Sequence, residues 1–360
     1  MKPSLLFLPD ISGFTEFVNS TEVSHSQHVI SELLEVLLNA NSLNLQLAEI
    51  EGDALFFFKE EEIPSMEMLL AQVERMFSAF YSHLKLLETN RICPCNACAM
   101  APNLQLKIIA HSGQLQFINV QEKRKPFGTE VIEAHRLMKN SVDSSNYVLF
   151  SKALTAQIML PDNYQSMLYS FSPGSDSYDG KNVEYIFSII NNDDLKLKPF
   201  NQAKKVEFHE DPLIILEYTM PVSAKVLLEY ITNYRYRHQW VDGVDSFEFN
   251  EHEVTRLGTE HVCVINEKHI DFVTVTKEGK AGEFVYGELS TGGNPLGQVY
   301  QFYIINPMNE HSSSLKVEIY LDDKNPLKRF IRQILIKSLL WKNLKKTIDK
   351  LSEFVSSESK

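Results

Sequence analysis

The sequence predicts an α+β protein of two domains, and three observations predict it. Short apolar runs alternate with amphipathic helical stretches over residues 1–190, a polar segment follows at 191–205, and a series of β-runs closed by one long helix fills 206–360. At 360 residues the chain is long enough for two separate cores. Its 44% hydrophobic and 23% charged residues are ordinary for a globular protein and point away from disorder.

In the first domain, Leu5 to Leu8 is continuously apolar and ends in Pro9-Asp10, the signature of a short buried strand. A helix starts near Ser12. From Ser26 to Asn39 the apolar residues recur at helical spacing and form a broad core-facing stripe. Leu43 to Ile50 and Ala54 to Lys59 read as a hairpin whose turn, Glu51-Gly52-Asp53, carries an aspartate. Met66 to Leu87 is a long amphipathic helix with Ser65 as its N-cap. Leu104 to His111 and Gln114 to Val120 read as a second hairpin around Ser112-Gly113. Thr129 to Met138 is helical, Tyr147 to Phe150 a strand and Lys152 to Met159 a short helix. Tyr164 to Ser172 and Val183 to Ile190 are expected to finish the sheet.

Charge and segment length exclude several function classes. A formal net charge of -12 argues against a nucleic-acid partner, which requires clustered Lys and Arg. The apolar run after Met1-Lys2-Pro3 is too short for a signal peptide, and no stretch reaches the roughly 18 apolar residues of a membrane-spanning helix. A cytoplasmic protein is expected. Cys93, Cys95 and Cys98 crowd into one loop, so the four cysteines do not form the paired framework of a secreted protein.

In this order, Asp10-Ile11-Ser12-Gly13-Phe14-Thr15, Gly52-Asp53-Ala54, His111-Ser112-Gly113 and Gly128-Thr129-Glu130-Val131-Ile132-Glu133-Ala134-His135-Arg136-Leu137 resemble the successive motifs of class III adenylate/guanylate cyclase catalytic domains. The resemblance covers about residues 1–190 and implies the ferredoxin-like sandwich of that family. It implies a nucleoside triphosphate whose ribose 3'-hydroxyl attacks the α-phosphate while pyrophosphate leaves. Asp10, Asp53 and the backbone carbonyl of Ile11 would then hold two Mg or Mn ions. Gly13, Phe14 and Thr15 would offer N–H groups to the phosphates. Arg136 would stabilise charge on the α-phosphate across a homodimer interface.

Two departures from the family pattern bear on turnover and on the base. The transition-state asparagine, four residues before the arginine, is here Ile132, which cannot hydrogen-bond. Of the two base-selecting positions, Glu49 resembles guanylate cyclases, whereas Lys125 stands where Asp or a small polar residue is usual. The residues also admit plainer roles. Asp10 and Asp53 suit a helix cap and a hairpin turn, Arg136 suits a surface ion pair, and Lys123-Arg124-Lys125 suits a solvated basic turn. His111 and His135 read as packing residues.

The C-x-C-x-x-C run can bring the thiolates of Cys93, Cys95 and Cys98 around one Zn ion, but tetrahedral zinc wants a fourth ligand. His83, His111, Cys263 or a partner chain could supply it; without it, three reduced thiols in a loop are the alternative.

The second domain opens with a strand, Val206 to Thr219, and a helix, Ser223 to Tyr234. Six β-runs follow between Ser246 and Tyr320, then a helix from Asn325 to Phe354 with an apolar stripe of Leu327, Ile331, Ile334, Trp341, Leu344, Ile348 and Leu351. Met220-Pro221-Val222-Ser223 and His238-Gln239-Trp240-Val241-Asp242-Gly243-Val244 resemble the START/polyketide-cyclase-like superfamily. That resemblance implies a helix-grip fold and a hydrophobic small molecule or lipid as ligand, with Tyr286, Tyr300, Phe302 and Tyr303 as lining candidates. The last helix also carries Lys324, Lys328, Arg329, Arg332, Lys337, Lys342, Lys345, Lys346 and Lys350. A basic amphipathic helix can lie on an anionic membrane; a stripe gripping the sheet beneath a solvated face is the preferred reading. Two functions stand: a nucleotidyl cyclase joined to a ligand-sensing domain, and a nucleotide-binding module without turnover joined to a hydrophobic-ligand carrier.

Overall fold

A computed structural model describes residues 2–178, 180–200, 205–251, 253–292, 298–322 and 326–358; for Ser24, Lys123, Asp322 and 326–336 the description is of backbone only. Two compact units result: Met1–Glu88 with Ala99–Phe200, and Thr89–Cys98 with Asn201–Lys360.

In the first unit the apolar run at the start of the chain becomes β1 (Ser4–Ser12), buried along nearly its whole length. It runs antiparallel to β3 (Ala54–Lys59) on one side and β4 (Gln105–Gly113) on the other. A strand paired on both edges and covered on both faces has no need of alternation, which explains the continuous apolar sequence. Helices α1 (Phe14–Ser20) and α2 (Val23–Asn39) lead from β1 to β2 (Gln46–Glu51), and α3 (Met66–Thr89) leads from β3 towards β4. The strand order β2-β3-β1-β4 is that of a split βαββαβ sandwich.

Beyond the short α4 (Asn96–Met100), the sheet grows through β7 (Tyr147–Ser151), parallel to β4, and then β9 (Lys181–Ile189) and β8 (Ser172–Tyr178). The crossover to β7 carries α5 (Thr129–Leu137), whose Ala134 and Leu137 pack with Leu6, Leu8, Ile109 and Leu149 on one sheet face. A short helix, α6 (Lys152–Ile158), follows β7, and Ser151 caps it by accepting the Leu154 N–H.

The hairpin expected over 104–120 does not form. Residues 105–113 continue as one strand through Ser112-Gly113, and Gln116–Val120 (β5) instead pairs with Lys123–Phe127 (β6) in a separate two-stranded sheet. The basic run disguises β6, since Lys-Arg-Lys-Pro lacks the apolar alternation of a strand. Tyr164 to Ser172 contributes only the isolated bridge Gln165–Ser170; the outer strand is β8, which the sequence reading left out.

In the second unit β10 (Ile214–Met220), shorter than the run from Val206, precedes α7 (Ala224–Thr232) and α8 (Arg237–Trp240). Five strands follow, β11 (Ser246–Glu248), β12 (Glu260–Ile265), β13 (Lys268–Val275), β14 (Phe284–Gly292) and β15 (Gln298–Asn309), and then β16 (Ser312–Asp322). They form one antiparallel sheet in the order β10-β16-β15-β14-β13-β12-β11, and α9 (Pro326–Glu358) ends the chain. Leu344, Ile348, Leu351 and Val355 of α9 pack with α7, Trp240, Tyr286 and Tyr303. Trp341 was expected in that stripe but is 44% exposed. Leu327, Ile331 and Ile334 lie outside the residues whose side chains are described, as do Lys324, Lys328, Arg329 and Arg332; Asn201 and Gln202 of the polar linker also lie outside the described residues.

Lys345 pairs with Asp349, and Lys346 and Lys350 both reach Asp242, so these three lysines of α9 take part in ion pairs on its exposed side. Among the described residues no helix is long and apolar enough to cross a membrane.

Candidate functional site

Asp10 and Asp53 come together because β1 and β3 are neighbours. Asp10 lies opposite Ala54 in the ladder, and the Ile11 N–H donates to the carbonyl of Asp53 at 3.1 Å, pinning the β2–β3 turn to β1. Gly52 makes that turn possible with φ of 69°. The two carboxyls are close enough to hydrogen-bond, and burial, then the charge of Asp10, pushes the Asp53 carboxyl up to about 6. Crowded carboxylates of this kind suit hard cations with oxygen ligands. Lys107 of β4, which sequence reasoning passed over, places its Nζ 2.7 Å from Asp10 Oδ2.

After Asp10 the chain turns at Gly13, whose φ of +89° only glycine adopts without strain, and α1 begins. The Phe17 N–H returns to the Gly13 carbonyl, so the amides of the first turn, Phe14 and Thr15 among them, have no earlier carbonyl within the helix. Ile11 is buried.

The two positions expected from the sequence to select the base meet each other: Lys125 Nζ of β6 lies 2.9 Å from Glu49 Oε2 of β2. Next to this pair Arg124 clasps Glu60 with two bonds of 2.6 and 2.7 Å and lies over the Phe117 ring. These partners account for Arg124 and Lys125 of the basic run; the Lys123 side chain lies outside the described residues.

His111-Ser112-Gly113 has a structural logic of its own. The Leu154 N–H donates to Ser151 Oγ, which leaves the Ser151 hydroxyl to donate to His111 Nδ1 at 2.8 Å and the Nε2–H to donate to Glu130 at 2.9 Å. Glu130 is held below the usual carboxylate range by this bond. A Cβ at residue 113 would stand 2.1 Å from Glu130 Oε2, so glycine is what lets the carboxylate approach. His135 bonds to the Val131 carbonyl and to Glu51, edge-on to Phe56. Arg136 sits half-buried on α5 with Ile132 one turn earlier and 52% exposed.

Cys93, Cys95 and Cys98 stand together on one short run, a group of thiols that could hold a metal ion. Backbone N–H groups donate to two of the sulfurs, Cys95 to Cys93 and Cys98 to Cys95. Hydrogen bonds to Cys93 and then Cys95 push the Cys98 thiol up. Of the fourth ligands proposed from sequence, His83 pairs with Glu32, His111 with Ser151 and Glu130, and Cys263 is buried on β12.

Residues 30–147 match a family described as "Protein of unknown function (DUF2652)". The chain is 30% identical over 130 residues to the "Uncharacterized protein Rv2561/Rv2562" of Mycobacterium tuberculosis, a match covering 36% of this chain and 60% of that protein's length. Among solved structures it is similar to the guanylate cyclase domain of RhGC from Catenaria anguillulae in complex with GTP, at 16% identity and a TM-score of 0.39 over 52% of this chain and 97% of that one. It is also similar to the adenylyl cyclase CyaB from P. aeruginosa, at 17% identity and a TM-score of 0.38 over 54% and 97%. The catalytic core of a rhodopsin-guanylyl cyclase with converted specificity, in complex with ATPalphaS, matches at 16% identity and a TM-score of 0.38 over 52% and 96%. At these scores the likeness adds no weight, and the site rests on its own residues.

The second unit has a polar centre that sequence reasoning missed. Arg237 donates to Glu288 at 2.5 Å with both side chains buried, and the Tyr286 hydroxyl donates to the same carboxylate at 2.7 Å. Burial drives the Glu288 carboxyl up, but Arg237, His261 and the Tyr286 hydroxyl together outweigh it and hold the group low. His261, stacked on Phe272, is pushed down to about 4 by burial. The expected aromatic quartet divides between two faces: Tyr286 and Tyr303 face α7 and α9, whereas Tyr300 and Phe302 pack with Phe208 and Tyr320. Tyr300 lines a cleft of about 230 Å³ beside Phe208 and Leu213.

Proposed function

We propose that the first unit binds a nucleoside triphosphate together with divalent metal, Mg or Mn, on Asp10 and Asp53. The observation that carries this reading is the convergence of those two carboxyls near the C-terminal end of β1, beside a glycine-led helix start. Bound metal would neutralise the triphosphate and acidify an attacking hydroxyl. The Ile11 carbonyl would add an oxygen, and the first amides of α1, at Gly13, Phe14 and Thr15, would meet phosphate oxygens. Glu49 and Lys125 would face the base. Arg136 would act on the α-phosphate of a homodimer's composite site. Exposed apolar side chains of Ile50, Ile118, Val120, Phe127 and Ile132 support such self-association.

Cyclisation of the bound nucleotide is one outcome of this arrangement, and binding without turnover is the other. Ile132 favours the second, since an exposed aliphatic side chain offers no hydrogen bond to the reacting ribose. Incubation with Mn and each ribonucleoside triphosphate, reading cyclic product, separates them: product establishes a cyclase, and metal-dependent binding without product establishes the binding module.

For the cysteine cluster we propose zinc, because three thiolates gathered on one short run suit that ion. Stoichiometric zinc in chelator-washed protein, lost in Cys95→Ser, supports it; protein that retains no zinc contradicts it. For the second unit we propose a helix-grip domain of START type that holds a hydrophobic small molecule or lipid, a reading supported by the antiparallel sheet and the closing helix packed with it.

A further inference from the structure

Lys107 is tied to the carboxylate pair by register. It lies directly opposite Asp10 in the β1–β4 ladder, so both side chains leave the same face of the sheet. Nζ stands 2.7 Å from Asp10 Oδ2, with the two side chains 21% and 10% exposed. An ordinary strand-surface ion pair sits in water and matters little. Here the acid is buried and a second, half-buried carboxyl, Asp53, adjoins it, so the pair would be left crowded and unbalanced without a cation.

We propose that Lys107 is a built-in counter-cation for Asp10 and Asp53, one that holds the pair in metal-free protein and must release Asp10 when a divalent ion binds. The proposal rests on the reading that these aspartates take metal. An ammonium within 3 Å of a ligand oxygen occupies one of that oxygen's lone pairs and repels an incoming dication. Lysine's four-carbon stem lets the group swing away without moving the strand. The consequence is a metal site weaker than its two carboxylates would otherwise make it. An arginine in the same position, always charged and bidentate, would hold Asp10 at least as firmly.

The test is titration of the full chain with Mn near neutral pH, reading free Mn by electron paramagnetic resonance, for wild type, Lys107→Met, Lys107→Gln, Lys107→Arg, Asp10→Asn and Asp53→Asn. Lys107→Gln retains a hydrogen-bond donor to Asp10 and covers the case in which Lys107→Met does not fold. The neutral variants are expected to bind Mn at least about tenfold more tightly, since they remove a like charge next to the ion, while Lys107→Arg binds no tighter than wild type. Neutral variants with unchanged or weaker affinity, in a protein where Asp53→Asn does weaken binding, would overturn the role given to Lys107 alone. Mn binding that is indifferent to Asp10→Asn and Asp53→Asn would overturn the metal reading, and this proposal with it.

Discussion

Glu130 reaches His111 over a glycine: its carboxylate accepts from Nε2 at 2.9 Å through space that a Cβ on residue 113 would fill. Gly113→Ala should therefore push Glu130 away and strand the buried imidazole. The cost is that of a charge-assisted hydrogen bond, roughly 1.5–3 kcal/mol. Urea unfolding measures it, and Glu130→Gln should cost less, because an amide oxygen still accepts.

Asp53 makes stability depend on pH in an unusual direction. Its carboxyl is raised to about 6 in the folded protein, so the stability it contributes is complete below about pH 4 and is lost as pH rises through about 6. In chelator, wild type should lose on the order of 1 kcal/mol relative to Asp53→Asn across that window, after allowance for solvent screening. Thermal melts of both proteins from pH 4 to 7 check the sign; added Mn should reverse the loss in wild type only.

Glu49 and Lys125 are partly exposed partners, so removing either charge should change stability by less than about 1 kcal/mol. In the proposed nucleotide site they would also face the base. Glu49→Lys combined with Lys125→Asp keeps an ion pair while reversing it, and should shift nucleotide preference towards adenine. Competition between ATP and GTP analogues reads the shift; an unchanged preference would remove both residues from the base site.

Arg237 and Glu288 form a buried pair, and losing one partner leaves the other charged and alone. Arg237→Met should destabilise the second unit by about 3–5 kcal/mol, with much of that recovered when Glu288→Gln is added. A double-mutant cycle in urea measures the coupling; additive effects would mean the pair contributes nothing jointly.

The parts of this architecture legible in the sequence were those set by local rules. Asp53 after Gly52 announces a hairpin turn and stands in one, whereas Pro9-Asp10 reads as a strand end although β1 runs on to Ser12 with Asp10 paired inside the ladder. What the sequence hid depends on pairing between distant segments. Nothing near Lys107 says that it faces Asp10, because that fact belongs to the β1–β4 register. Ser112-Gly113 reads as a turn, yet its glycine serves side-chain clearance, and the strand runs through it. The acid and base of the second core, Glu288 and Arg237, sit in an apolar strand and an aromatic turn whose local patterns give no sign that they meet.

The central claim is that Asp10 and Asp53 bind a metal–triphosphate complex. Calorimetric titration of a non-hydrolysable nucleoside triphosphate into wild type and into Asp10→Asn/Asp53→Asn, each with Mn and with chelator, tests it most directly. The account predicts binding by wild type that requires Mn and falls at least about tenfold in the variant, the loss expected when charged metal ligands are removed. Equal affinity in the two proteins, or binding indifferent to Mn, would contradict it.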